Sequence, residues 1–254
     1  MTESPFRVAV VGDGEAVSRV RQAVEEAGSR LVDRGAADAL VAVGDGAIRD
    51  TLIAESTSST RSSHRPIIPL RNEAATDGSR IVSTVRDLID GTERRVQYPV
   101  LSVETDEGIA GRAVFDVAFV TDEPARISEY AVETDAGRGE SFRADGVAVA
   151  TPLGSDGYAN AAGGPVIGPG AGLAVVPIAP FTTRRDTWVV ADGVTLSVER
   201  ESEAVSLIVD GARREVVVPG RSVRVAVADR VAVVPEPSRS GQARATDRKG
   251  SNNS

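Results

Sequence analysis

Apolar positions follow two different rhythms along this chain, and the change of rhythm divides it. Phe6 to Val11 (FRVAVV) is a short, nearly unbroken apolar run ending in Gly12-Asp13-Gly14. Val17, Val20, Ala23, Val24 and Ala27 then recur at the spacing of one helical face, and Gly28 stands where a helix ends on glycine. Ala39 to Val43 (ALVAV) is a second buried run, followed by Gly44-Asp45-Gly46 and by a helix through Ile48, Leu52 and Ile53. Ser56 to Ser63 is a polar loop, Ile67 to Leu70 a third strand, and Val82, Val85, Leu88 and Ile89 mark a helix ending at Gly91. Buried strands alternating with amphipathic helices predict an α/β domain with a parallel, doubly wound sheet over residues 1–97.

Near Tyr98-Pro99 the period shortens to two. The spacing predicts strands at Val100–Glu104, Arg112–Val120, Ile127–Thr134, Val147–Thr151, Leu173–Pro177, Trp188–Val190 and Val194–Arg200. Further strands are predicted at Ala204–Val209, Glu215–Val218, Val223–Ala226 and Val231–Val234. Short strands separated by glycine and proline turns imply an all-β, sandwich-like C-terminal domain over residues 98–236. Pro235 to Ser254 holds no apolar residue beyond two alanines, so residues 237–254 are expected to be a disordered tail.

Composition narrows the chemistry. Aromatic residues make up 4% of the 254, which leaves the packing to Val and Ala and favours strands. The formal net charge of −8 repels nucleic-acid phosphates, so DNA and RNA are not expected partners. Every basic residue but Lys249 is Arg. An acidic surplus with almost no Lys fits a salt-adapted, halophilic protein, and it fits GC-rich codon usage equally. There is no cysteine, which excludes disulfides and Cys-based zinc sites, and His64 is the sole histidine. No apolar run reaches membrane-spanning length and no signal-peptide pattern opens the chain, so a cytoplasmic protein with no membrane partner is expected.

Two segments carry candidate chemistry. Gly44-Asp45-Gly46 lies at the carboxyl end of a buried strand, where open α/β sheets bind ligands. Glycines there let backbone N–H groups approach phosphate oxygens, and an Asp can bind Mg²⁺ or accept a proton from a substrate hydroxyl. The same tripeptide also makes an ordinary turn, as Gly12-Asp13-Gly14 illustrates. The richer segment runs from Asp145-Gly146 through Thr151-Pro152-Leu153-Gly154-Ser155-Asp156-Gly157-Tyr158 to Gly163-Gly164-Pro165 and Pro169. A strand feeds a glycine-rich turn, and a short helix is expected with Ser155 or Asp156 as N-cap. Helix N-termini with nearby glycines suit anionic ligands, and Tyr158 can stack on a base. His64 reads as a solvated loop residue, Trp188 as core and Arg94-Arg95 as the domain junction. Arg184-Arg185 fits a phosphate contact or a solvated pair equally.

Residues 145–169 resemble the signature of the NAD kinase family, where a DG…TPTGSTAY…SAGGP segment builds the dinucleotide site. Gly44-Asp45-Gly46 stands at that family's GGDGT loop, Pro177-Ile178-Ala179-Pro180 at its Pro-Ile-x-Pro turn, and Asp210-Gly211 at its late DG turn. The resemblance implies transfer of a phosphoryl group from ATP, or polyphosphate, to the adenosine ribose 2′-hydroxyl of NAD, with Mg²⁺ on the phosphates. It makes Asp45 the catalytic carboxylate and sets Gly44 and Gly46 against the donor phosphates. Asp145, Gly146, Thr151, Gly154, Ser155, Asp156 and Tyr158 would form the dinucleotide site. It implies small-molecule nucleotides as partners and a homo-oligomer with the site completed by a neighbouring subunit. No metal ligand is assigned among the side chains.

The departures are specific. Val43 replaces the first loop glycine and Ala47 the following Thr, and Phe115-Asp116 stands at the family's Asn-Glu pair. Leu153, Asp156, Gly157 and Ala161 depart from the Tyr-bearing motif, and Phe181 replaces a His. Asp186 stands where an Arg is expected, and the glycine-rich loop expected after the third strand is absent around Asn72. Lost hydrogen-bond groups reduce discrimination, and Asp156 adds negative charge beside a phosphate. A non-catalytic NAD(P)-binding or regulatory homologue, or a kinase of another hydroxyl, therefore stands beside the NAD kinase reading.

Overall fold

A computed structural model describes residues 5–58, 65–71, 77–122, 127–137, 139–181, 186–200 and 204–235. His64, Arg184-Arg185, Asn72, most of the polar loop after Ser58 and the 237–254 tail lie outside the described residues. In chain order the first half contains β1 (Arg7–Gly12), α1 (Glu15–Glu26), β2 (Arg30–Leu31), β3 (Ala39–Val43), α2 (Asp45–Ser56), β4 (Ile67–Leu70) and α3 (Gly78–Ile89). Strands β2, β1, β3 and β4 lie side by side and parallel. Their faces are covered by different helices. Val17, Val20 and Val24 of α1 pack with Ile81, Val85 and Leu88 of α3 over Val8, Val41 and Ile68. Ile48 and Leu52 of α2 pack over Leu40, Ala42 and Ile67 on the other face. All five residues of β3 are buried, as a central parallel strand covered on both sides requires.

The second half contains β5 (Val96–Thr105), β6 (Gly108–Ala113), β7 (Asp116–Thr121), β8 (Ser128–Thr134), β9 (Gly139–Ala144), β10 (Gly146–Ala150) and α4 (Tyr158–Ala161). It continues with β11 (Leu173–Ile178), β12 (Trp188–Val190), β13 (Gly193–Arg200), β14 (Val205–Val209), β15 (Ala212–Val217) and β16 (Ser222–Val233). One sheet runs β12-β11-β10-β7-β14-β15. Its inner face, with Val117, Phe119, Val149, Val175 and Leu207, meets Leu101, Tyr130, Leu196 and Val225 of the facing sheet. This is the expected sandwich. The ring of Trp188 packs against this core, 5.8 Å from the Phe142 ring.

Strand β16 joins the two halves. It pairs antiparallel with β5 along most of its length and with β13, and its Val233 then lies parallel to Ile67 of β4. The α/β sheet and one leaf of the sandwich are thus one continuous ten-stranded sheet among the described residues. The two strands expected at Val223–Ala226 and Val231–Val234 are this single strand, whose register shifts between Val227 and Asp229. The bulge adds a residue, so the apolar alternation slips without the strand ending.

The single strand expected at Arg112–Val120 is two strands in different sheets, β6 and β7. The chain turns between them at Val114 and Phe115, and the Asp210 carboxylate accepts the backbone N–H groups of Val114 (3.0 Å), Phe115 (2.8 Å) and Asp116 (3.1 Å). Strand β9 escapes the apolar pattern because most of its side chains (GESFRA) face solvent; it is held by its ladder to β8.

Helix α2 is anchored at its C-terminal end by charge. Glu55, 5% exposed, accepts from Arg65 at 2.8 Å and Arg34 at 3.2 Å. Arg65 also donates to the backbone carbonyl of Arg34. Replacing Glu55 with Ala strands buried guanidinium charge. Such a break typically costs 3–5 kcal/mol, so Glu55→Ala is expected to lower the stability measured by urea denaturation by about 3 kcal/mol. A loss within the scatter of surface mutants would show the triad to be irrelevant.

Candidate functional site

The junction of β3 and α2 is made by Gly44. Its φ of 87° lies in the left-handed range that a Cβ would strain. The Gly44 N–H donates to the Leu70 carbonyl at 2.9 Å, and its own carbonyl accepts the Ile48 N–H at 3.0 Å to begin the helix. Asp45 and Gly46 therefore occupy the first turn of α2, where backbone N–H groups lack intrahelical acceptors and the helix dipole is positive. The Asp45 side chain is 54% exposed at this mouth.

Arg71 emerges next to it, one residue beyond the end of β4. Its Nε donates to Asp45 Oδ1 at 2.9 Å, and its Nη1 donates to Asp156 Oδ1 and to the Leu153 carbonyl, both at 2.9 Å. The guanidinium carbon lies 5.0 Å from the centre of the Phe115 ring. One side chain thus ties the Gly44-Asp45-Gly46 loop to the Thr151–Tyr158 loop. Burial pulls the Arg71 guanidinium down, and hydrogen bonds and charge from Asp45 and Asp156 more than offset this, so its pKa is raised. The two sequence segments meet at this one guanidinium.

The second loop is held from behind. Thr151, fully buried, donates from Oγ1 to the Val114 carbonyl at 2.5 Å and accepts the N–H groups of Leu153 (3.1 Å) and Gly154 (3.3 Å). A Cβ on Gly154 would collide with the Phe115 carbonyl, so this position must be glycine for the loop to lie against the β6–β7 corner. Ser155, also fully buried, accepts the Ile167 N–H at 3.1 Å and shares its hydroxyl between the Pro152 and Ile167 carbonyls. Thr151, Gly154 and Ser155 shape the loop, with the two hydroxyls engaged inside it. Gly146 serves packing in the same way, since a Cβ there would strike the Phe119 carbonyl.

The helix after this loop starts later than expected. Tyr158–Ala161 forms a single turn with Gly157 as N-cap and no side-chain cap. The Ser155 hydroxyl and the Asp156 carboxylate, the two expected caps, are committed to Ile167 and Arg71 instead. Tyr158 is 45% exposed. Its hydroxyl is raised in pKa by burial, then by the charges of Asp116 and Asp145. Asp145 is partly buried; its backbone carbonyl accepts from Thr121 and from the Tyr130 hydroxyl.

Asp116 is the most perturbed carboxyl of this group. Burial, then the neighbouring Asp210 charge, raise it to about 6 against the pull of Arg71. Asp210 is also raised by burial, against the three backbone N–H groups it accepts. The pattern reading missed Arg71; the signal available was its position at the carboxyl end of a third parallel strand, where such sheets bind ligands. Arg49, which exerts its charge on Asp210 from α2, was missed as well. Among the described residues no three His, Asp or Glu side chains cluster as a metal cage.

Residues 116–235 match the family of the ATP-NAD kinase C-terminal domain. An NAD kinase of Methanoculleus marisnigri is 36% identical over 121 residues, 47% of this chain and 44% of the relative. An NAD kinase of Thermoplasma acidophilum is 31% identical over 147 residues, 56% of this chain and 54% of the relative. The chain spans about half the length of the curated relatives it matches. The fold resembles the crystal structure of an NAD kinase from Archaeoglobus fulgidus in complex with ATP, with TM-score 0.62 and 22% identity, covering 91% of this chain and 94% of that one. It also resembles yeast NADH kinase complexed with NADH, with TM-score 0.72 and 15% identity, covering 92% and 85%. At these identities the structural likeness shows the fold: an α/β unit followed by a β-rich unit.

A carboxyl raised by burial binds its proton more tightly in the folded chain than in the unfolded one. Its ionisation therefore costs stability as pH rises from the unfolded pKa near 4 through the folded value near 6. Asp116→Asn is expected to raise the melting temperature at about pH 7.5 and to give no gain at about pH 4. A gain independent of pH, or none at the higher pH, would show that Asp116 ionises without cost.

Proposed function

We propose that this chain, whose residues 116–235 match the ATP-NAD kinase C-terminal domain family, transfers a phosphoryl group from ATP or polyphosphate to the adenosine ribose 2′-hydroxyl of NAD. The observation that carries the reading is a shared contact: Asp45 and the Leu153–Asp156 loop meet on the one guanidinium of Arg71.

In this reading the donor triphosphate lies at the N-terminal turn of α2, with Gly44 and Gly46 leaving their backbone open to phosphate oxygens. The dinucleotide occupies the side lined by Asp116, Asp145 and Tyr158. The hydroxyl oxygen forms a bond to the γ-phosphorus, and the bond from that phosphorus to the β–γ bridging oxygen breaks, its electron pair leaving with ADP. The hydroxyl proton passes to the Asp45 carboxylate and from there to solvent. The donor set fits Mg²⁺ as an ion carried on the phosphates, which needs one or two protein carboxylates. Asp45 can supply one, and the ion would neutralise the triphosphate charge.

Purified protein incubated with NAD, Mg²⁺ and either ATP or polyphosphate, at low and high salt, is expected to form NADP. Asp45→Asn should lower kcat by roughly 10²–10⁴-fold, the usual contribution of a positioned general base, with NAD affinity by calorimetry retained. NAD binding without NADP under every condition would replace this reading with a binding protein. Full turnover by Asp45→Asn would move the proton acceptor elsewhere.

A further inference from the structure

The Arg71 contacts are poorly suited to a purely structural task. Asp45 and Asp156, two carboxylates bonded to it, are 54% and 60% exposed. Ion pairs in such surroundings contribute only about 0–1 kcal/mol. The guanidinium itself is more enclosed, with its side chain 24% exposed, and it rests against the Phe115 ring. An enclosed, always-charged fork whose Nε and Nη2 face the solvent-open Asp45 carboxylate is ready to exchange that carboxylate for a phosphate, which it can hold by two parallel hydrogen bonds.

Charge at the mouth points the same way. Asp45 and Asp156 alone would repel a triphosphate, and Arg71 is the cation that touches both. Its Nε is 2.9 Å from the Asp45 oxygen, so a hydroxyl bonded to that carboxylate places its incoming phosphoryl group within reach of the same guanidinium. We propose that Arg71 is a catalytic residue: with a phosphate donor at this site, its guanidinium leaves Asp45 for the phosphoryl group in transfer, and Asp45 is thereby freed to take the hydroxyl proton. Asp156 and the Leu153 carbonyl keep Nη1 in place during the exchange, while Nε and Nη2, the groups that face Asp45, turn to the phosphoryl oxygens against the Phe115 ring. The atoms and electrons are those of the transfer given above; Arg71 contributes charge stabilisation and no bond. The inference rests on the proposed kinase reading.

The experiment compares wild type, Arg71→Ala and Arg71→Lys for NADP formation and for binding of inorganic tripolyphosphate by calorimetry, with melting temperature as the check on folding. Arg71→Ala is expected to lower kcat by about 10³-fold, as loss of a transition-state arginine does, with KM for NAD little changed. Added guanidinium ion should restore part of the Ala variant's rate, a recovery that a structural role would not give. Arg71→Lys should fall between the two, because the charge remains and the fork is lost. A kcat within threefold of wild type in Arg71→Ala, or a loss that guanidinium leaves unmoved and that follows the melting temperature, would overturn the assignment. If the wild type makes no NADP, the kinase reading fails by itself, and tripolyphosphate decides the phosphate site: a tenfold weaker affinity in Arg71→Ala upholds it and equal affinity removes it.

Discussion

Asp210 fixes the corner on which the candidate site is built. Its carboxylate accepts three successive backbone N–H groups, Val114 to Asp116, where the chain leaves β6 in one sheet for β7 in the other. A sheet-switching corner has backbone donors that neither ladder can satisfy, and buried donors without partners are costly. Charge-assisted bonds from one carboxylate answer all three at once. The turn that presents Asp210 is itself held open by left-handed backbone, with φ of 46° at Asp210 and 75° at Gly211. With the corner fixed, its carbonyls become the acceptors for the next layer: Val114 takes the Thr151 hydroxyl and Phe115 takes the Thr151 N–H. Gly154 then lies against Phe115, and the ring of Phe115 carries Arg71.

The same arrangement gathers negative charge. Asp45 and Asp156 stand at the mouth, and Asp116, Asp145 and Asp210 lie deeper. Burial raises both Asp116 and Asp210, and the Asp210 charge raises Asp116 further, which is a free-energy cost that the fold carries at this place. Perturbed carboxyls of this kind concentrate where proteins handle ligands, because such sites retain groups that stability alone would remove. The departures from the NAD kinase signature are also paired in space. Asp156, which adds charge to the loop, meets Arg71, which stands where a glycine-rich loop is missing, and the two are joined at 2.9 Å although 85 positions apart.

Local pattern carried most of the architecture. Parallel strands covered on both faces are short and wholly apolar, and surface helices repeat every three to four residues, so β3, α1 and α3 stand out in the chain itself. Period-two alternation likewise exposes β8 and β13. Where a strand is mostly exposed, as in β9, or where a bulge shifts the alternation, as in β16, the pattern carries no mark of continuity. The β6–β7 break is invisible for a related reason: it is set by Asp210, nearly a hundred positions away.

The sequence by itself determined the α/β and all-β parts of the fold and the glycine-rich loops that would face a ligand, because these depend on side-chain volume, hydropathy and backbone freedom at neighbouring residues. It also marked Asp45 and Tyr158 by their place at the ends of a strand and a loop. The tertiary structure alone decided which polar groups remain available. Thr151 and Ser155 look like ligand groups in a row of small polar residues, yet both turn inward and spend their hydroxyls on the loop. Arg71 looks like one arginine among many, yet it joins Asp45, Asp156 and Phe115. Hydrogen-bond partners and charge neighbours are set by distances across the fold, and a linear chain does not contain those distances.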